Sequence, residues 1–199
     1  MDIASKGDPQ YAYSTYRSLG SNLAMLGFNM NLGPVLAVSG DGFDPASTFG
    51  SNPLQAGVFA KTFILGHREE NVIAVPFVDG SEHSVRALKT IAISDPGIPI
   101  GSVIGTDGVA PFSAYGGFIS GVHFCMTGAE TANLSAGAFK RGCDVLVLNG
   151  AAETPAAVRD EIAFAIAQAV RDGELTYEAL SAAAQKVSEL RAPDGSRSQ

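Results

Sequence analysis

An α/β fold assembled from βα units is what the sequence predicts, and three observations predict it. Short apolar runs such as PVLAV, NVIAVPF and CDVLVLNG carry no polar alternation, as strands covered on both faces do. Segments with apolar residues three and four apart lie between those runs, the order expected around a parallel sheet. The chain has 199 residues, 46% of them hydrophobic and 17% charged, long enough to bury a substantial core as one domain over residues 1–191.

Each element follows from its residues. Residues 11–27 (YAYSTYRSLGSNLAMLG) place Tyr16, Leu19, Leu23 and Leu26 on one helical stripe closed by Gly27, and the strand PVLAV comes next. Residues 53–65 form a second helix opened by Pro53 after an Asn52 cap, leading into NVIAVPF. A third helix covers 84–92. The segments IPIGSVIGTDG and GVHFCM read as strands, followed by a helix over 129–140 and the strand CDVLVLNG. Thr154 and Pro155 open a helix whose stripe is Val158, Ile162, Ile166 and Val170, ended by Asp172-Gly173. Thr176 starts a last helix with Leu180, Val187 and Leu190 inward, and residues 192–199 form a disordered tail.

The charge balance narrows the partners. A net charge of −7 argues against a nucleic-acid footprint and against an anionic membrane surface, and points to a small-molecule substrate. Two cysteines, Cys125 and Cys143, are too few for a disulfide framework. They set no metal-ligand spacing with His67, His83 or His123, so no metal and no cofactor is implied. No run approaches the roughly 18 apolar residues of a membrane span, and a cytoplasmic location is the expectation.

Five segments in order, LAMLGFNMNLGPVLAV, STFGSNPLQAGVFAKTFILG, NVIAVPF, GAETANLSAGAFKRGCDVLVLNG and AVRDGELTYEALSAAAQKVSELR, resemble glycoside hydrolase family 3, in particular its β-N-acetylglucosaminidase branch. The likeness covers residues 15–191. It implies a (β/α)8 TIM-type barrel with its site at the C-terminal ends of the strands. The family's first two βα units, with their D-Q-E-G-G segment, have no counterpart, so the resemblance implies an incomplete barrel. Its open edge would be closed by a homodimer or by a partner chain.

The family's chemistry uses an Asp nucleophile in a T-D or S-D pair after the sixth strand. Here that region is GFISGVHFCMTGAE, which offers His123 and only Glu130 as a carboxylate. Sugar-holding positions have also changed. The Asp of P-V-L-D-V is Ala37, the Arg of R-S-F-G is Ser47, and K-H-F is Val75-Pro76-Phe77, so four polar ligands have become small or apolar. Such a pocket favours a more apolar molecule. The branch's D-S-H triplet persists as Ser81-Glu82-His83, in which His83 matches the acid/base histidine. Its usual Asp partner is Ser81, leaving Asp79 or Glu82 to orient the ring.

Each candidate also has a plainer reading. Asp79-Gly80 is turn chemistry by composition, and His83 on a polar loop is a solvated residue unless the positional match holds. His123 is either a satisfied core histidine or a group at the end of a barrel strand. Asp107 is a cap or the partner of His123. Cys125 reads as a small buried hydrophobe and His67 as a surface residue. G-D-G at 40–42 and T-D-G at 106–108 lack the spacing of a phosphate cradle and read as turns.

Three functions follow as expectations. The first is a dehydratase, a lyase working by acid/base chemistry on a small, fairly apolar metabolite such as a secondary metabolite. His83 leads and His123 is second in that reading. The second is a glycoside hydrolase with a nucleophile displaced to Glu130 or Asp107. The third is a non-catalytic binding or assembly protein.

Overall fold

The computed structural model of the chain describes residues 6–38, 48–103, 120–128, 132–149 and 155–191. They alternate helices with parallel strand pairs, as the predicted βα class requires. The elements in order are α1 (Pro9–Met25), β1 (Met30–Asn31), α2 (Pro53–Glu69), β2 (Ile73–Ala74), β3 (Phe77–Val78), α3 (Glu82–Ala92), β4 (Ile100–Val103), β5 (His123–Gly128), α4 (Ala132–Lys140), β6 (Val145–Asn149), α5 (Pro155–Arg171) and α6 (Tyr177–Arg191). They fall into two compact units, residues 6–102 with Ser120, and Val103 with residues 121–191.

In the first unit β1 pairs with β2 and β3 with β4, both parallel, and Val35 bridges Phe77. Asp8 caps α1 by accepting the N–H of Gln10 at 2.9 Å, and Asn52 caps α2 through the N–H of Leu54 at 2.9 Å. Gly27, at φ 84°, ends α1 with the Gly27 N–H on Ala24 and the Phe28 N–H on Leu23.

Helix α1 does not bury its leucine stripe. Its buried residues are Ala12, Tyr16 and Gly20, while Leu19 and Leu26 face out. The reason is backbone proximity. A Cβ on Gly66 of α2 would lie 2.7 Å from the Arg17 nitrogen, and one on Gly20 would lie 3.1 Å from the His67 Cα. Glycines let the two helix backbones touch along the Tyr16–Gly20 face, and Leu19 and Leu26 are left facing out while Leu23 is half-buried. The same device carries α2 past Leu65, where apolar periodicity stops, to Glu69. At its other face, Gly57 meets Ala87 and Thr90 of α3, with 2.8 Å from an added Cβ to the Ala87 oxygen. Tyr16, Phe49, Phe59 and Phe63 fill the space between α1 and α2 as a ring cluster.

In the second unit β5 and β6 run parallel in the register Phe124↔Val145 through Gly128↔Asn149. Ala136, Ala169 and Leu175 form a core against Phe139, Ile166, Val170 and Leu180. Helix α5 ends and α6 starts as their residues predict, while Thr154 lies outside the described residues. Gly173, at φ 72°, ends α5, and the Thr176 hydroxyl accepts the Ala179 N–H at 3.2 Å to open α6. Among the described residues no helix is long and apolar enough to cross a membrane.

Candidate functional site

The segment after β3 is built by serines. Ser81 is the N-cap of α3, its hydroxyl accepting the Ser84 N–H at 3.1 Å, while buried Ser84 returns its own hydroxyl to the Ser81 carbonyl at 3.0 Å. Gly80, at φ 83°, makes the turn from β3 into that cap. Glu82 and His83 therefore occupy the first turn of a helix, where the sequence suggested a loop. Both are exposed. Adjacent helical positions do not face each other, so Glu82 is poorly placed to orient the His83 ring.

Asp79 is half-buried and accepts the Ser81 N–H at 3.0 Å. Burial pushes its carboxyl up, but hydrogen bonds from the Ser84 side chain and from Ser81 outweigh it, and the group sits below the usual carboxylate range. Asp79 is thus a fixed carboxylate that shapes the turn, a poor proton donor at neutral pH. His83 follows the C-terminal end of β3, the end at which βα barrels carry chemistry.

His123 has a different setting. It opens β5, so it stands at the N-terminal end of its strand, and it is buried. Its Nδ1–H donates to the Gly142 carbonyl at 3.1 Å, and its backbone N–H donates to Asp144 Oδ2 at 2.9 Å. Burial lowers its pKa, with the Gly142 carbonyl and the Asp144 charge opposing and Lys186 assisting. Asp144, 6% exposed at its side chain, takes Lys186 Nζ of α6 at 3.1 and 3.2 Å on its two oxygens. This carboxylate ties β5, the start of β6 and α6 together. Sequence reading passed over it, although an Asp opening the run DVLVLN beside a turn is a signal for such a tie.

Next to that tie lies a disulfide between Cys125 and Cys143, with Cα atoms 6.0 Å apart and both residues buried. Cys125 is therefore a bridge partner, a role that the composition argument did not allow for. The signal was positional: Cys125 sits in one strand and Cys143 just before the strand paired with it.

His67, expected at the surface, is 0% exposed. It stacks on Phe63 with ring centroids 4.0 Å apart, donates Nδ1–H to the Phe63 carbonyl at 2.8 Å and accepts from Asn31 Nδ2 at 3.0 Å through Nε2. The helix continues beyond Leu65 and turns His67 inward, which pins β1 to α2. Burial lowers its pKa, against the Phe63 carbonyl.

Asp107, Glu130 and Ser47 lie outside the described residues. Ala37, Val75 and Phe77 are buried, and the Phe77 ring lies over Gly101, where an added Cβ would come within 2.4 Å of it. At Ala37, Val75 and Pro76, all buried, apolar packing thus occupies positions where the resemblance would place polar sugar ligands. Two grooves, of about 790 and 550 Å³, are lined by α4, α5 and the loop after it, and by β6, α5 and α6, respectively. Neither includes Asp79, Glu82 or His83. Among the described residues no cluster of three His, Cys, Asp or Glu is arranged to hold a metal.

No family model matches the chain, and no curated protein does. Solved structures do. A glycosyl hydrolase family 3 member from Mycobacterium smegmatis superposes with a TM-score of 0.77 at 16% identity, over 96% of this chain and 72% of that one. In fold, the chain resembles the family 3 glycoside hydrolases. A family 3 β-N-acetylglucosaminidase from Paenibacillus gives a TM-score of 0.75 at 16% identity over 100% of this chain. The β-N-acetylglucosaminidase of Thermotoga maritima gives 0.71 at 16% identity over 92%. The chain spans 47% and 48% of those two proteins' lengths.

Proposed function

We propose that this chain is an acid/base catalyst on a family 3 glycoside-hydrolase-like scaffold, with His83 as the proton-transfer group, acting on a small molecule without a covalent glycosyl intermediate. The observation that carries this reading is the placement of His83: solvent-accessible, in the first turn of α3, directly after β3, on a turn stiffened by Asp79, Ser81 and Ser84. An imidazole both accepts and donates a proton near neutral pH, so one such group serves a reaction that removes a proton and protonates a leaving oxygen. The preferred reaction is elimination of water from a β-hydroxy carbonyl compound. The proton beside the carbonyl goes to the base, its electron pair forms the C=C bond, and the hydroxyl leaves as water after protonation. The replacement of polar ligands by Ala37, Val75 and Pro76 supports a substrate poorer in hydroxyls than a sugar.

A glycosidase is the second reading, favoured by the fold likeness to β-N-acetylglucosaminidases. The buried Cys125–Cys143 bridge supports folding in an oxidising compartment rather than the cytoplasm expected from the sequence. The test is a parallel assay of a 4-nitrophenyl glycoside panel, including the β-N-acetylglucosaminide, and a β-hydroxy carbonyl panel followed by absorbance of the conjugated product. Wild type and His83→Gln are compared. Elimination lowered by roughly 100-fold or more in the variant supports the proposal. Glycoside turnover with no elimination replaces it with the second reading, and turnover indifferent to His83→Gln overturns the role of that residue.

A further inference from the structure

We propose that the groove between α4 and α5, within the second unit, docks a basic amphipathic helix of a partner protein. The inference is independent of the catalytic reading, since none of the groove's residues belongs to the turn between β3 and α3. The groove, of about 790 Å³, follows one face of α5 from Ala157 to Asp172 just past the helix end. At a rise of about 1.5 Å per residue that face is about 22 Å long, the length of roughly four turns of a second helix.

The sequence of α5 makes the groove. Ile162 and Ile166 line the other groove, with β6 and α6. The face beside them carries Ala157, Ala165 and Ala169, and α4 adds Ala136 and Gly137. Such small side chains leave room for another helix backbone to come close, and Phe164, 66% exposed on the same face, offers an aromatic anchor. Asp160, Glu161, Phe164 and Gln168 are all exposed, so the groove is too open to enclose a small ligand as a pocket does. An elongated partner laid along it suits that shape.

Charge selects the partner. Four carboxylates line the groove, Asp160, Glu161, Asp172 and Glu174, against one cation, Lys140. The nearby cations are already engaged. Lys140 is held by Glu174 and Arg159 by Asp160, while Arg171 lies over the Phe164 ring at 5.6 Å and donates to the Gln168 amide oxygen at 2.7 Å. Among the described residues Glu161 and Asp172 pair with no Lys or Arg, and Asp172 accepts the neutral Gln168 amide at 2.9 and 3.1 Å on its two oxygens. A helix with lysines or arginines beside an apolar stripe complements both the alanine floor and these carboxylates. A second copy of this chain, at −7, would bring like charge to like, and nucleic acid or an anionic membrane would be repelled.

The test is fluorescence anisotropy of a labelled model helix of leucines and lysines, its leucines on one face, titrated with the full chain. Controls are a scrambled peptide of the same composition, whose leucines share no face, and a leucine-glutamate helix. Wild type is expected to bind the leucine-lysine helix, to bind the scrambled peptide at least roughly 10-fold more weakly and to leave the leucine-glutamate helix free. Phe164→Ser, and separately Glu161→Gln with Asp172→Asn, are each expected to raise Kd roughly 10-fold with unchanged circular dichroism. Glu178→Gln with Glu189→Gln, which removes the same charge from exposed sites on α6, is expected to leave Kd unchanged. No binding by the wild type, equal binding of the scrambled peptide, binding indifferent to the groove variants, or an equal loss in the α6 variant overturns the proposal.

Discussion

The two units of the chain are held together by different physics. In residues 6–102 the helices meet backbone to backbone, through Gly20, Gly57 and Gly66, with an aromatic cluster filling the remaining space. In residues 121–191 the ties are side-chain pins: the Asp144 carboxylate shared by His123 and Lys186, the Cys125–Cys143 bridge, and the Lys140–Glu174 ion pair. Backbone packing leaves no slack for added volume. Side-chain pins tolerate volume but fail when one chemical group is removed. The first mode also decides which residues reach solvent, because α1 turns its Ala12–Tyr16–Gly20 face to α2 and leaves Leu19 and Leu26 outside.

That contrast can be broken most forcefully at Gly66. Gly66→Val would drive a branched side chain into the Arg17 and Tyr16 backbone, and we expect a loss of about 4 kcal/mol, with amide exchange accelerated in α1 and α2 first. Protection unchanged in those helices would contradict the packing described. In the second unit, Cys143→Ala or reduction should cost about 3 kcal/mol for a loop of 18 residues, and alkylation of both thiols should appear only after reductant. Lys186→Met comes next. It strands the buried Asp144 carboxylate, and we expect a loss of about 2 kcal/mol in chemical denaturation, mostly recovered when Asp144→Asn is added.

The smallest effect is the most discriminating. His67 and His123 are both buried with pKa values below 6.5, so the fold prefers their neutral forms. Their contribution is complete above about pH 6.5, where the unfolded chain is also neutral. It declines as the pH falls, because the unfolded chain takes up protons first, and it levels off once the folded-state values are passed. Each histidine contributes at most about 1.4 kcal/mol per pH unit of that window. His67→Gln should flatten the decline in part, and a decline unaltered by it would remove His67 from this role.

How much of this was legible beforehand depends on which forces decide each element. Capping and turn residues announce themselves locally, so Asn52, Gly27, Gly173 and Thr176 mark helix ends that the structure keeps. Leu19 and Leu26 misled because periodicity identifies an apolar stripe without telling whether a glycine face packs more closely. His67 was misjudged for a related reason: its neighbours Arg68 and Glu69 are polar, but the helix continues through Gly66 and rotates His67 inward. That His83 follows a strand was legible, whereas its place inside a helical turn depended on Ser81 acting as a cap. Asp144 and the cysteine bridge are long-range pairings, joined only once β5 and β6 lie side by side.

Of the two histidines, we propose that His83 moves protons and that His123 supports the fold. The most direct measurement is turnover per folded molecule for wild type, His83→Ala and His123→Ala, side by side on the elimination and glycoside panels, with stability measured on the same samples. His83→Ala is expected to keep its stability and lose roughly 100-fold or more in rate, while His123→Ala is destabilised and its folded fraction turns over normally. Full activity in His83→Ala, or no turnover of either substrate class by the wild type, would contradict it.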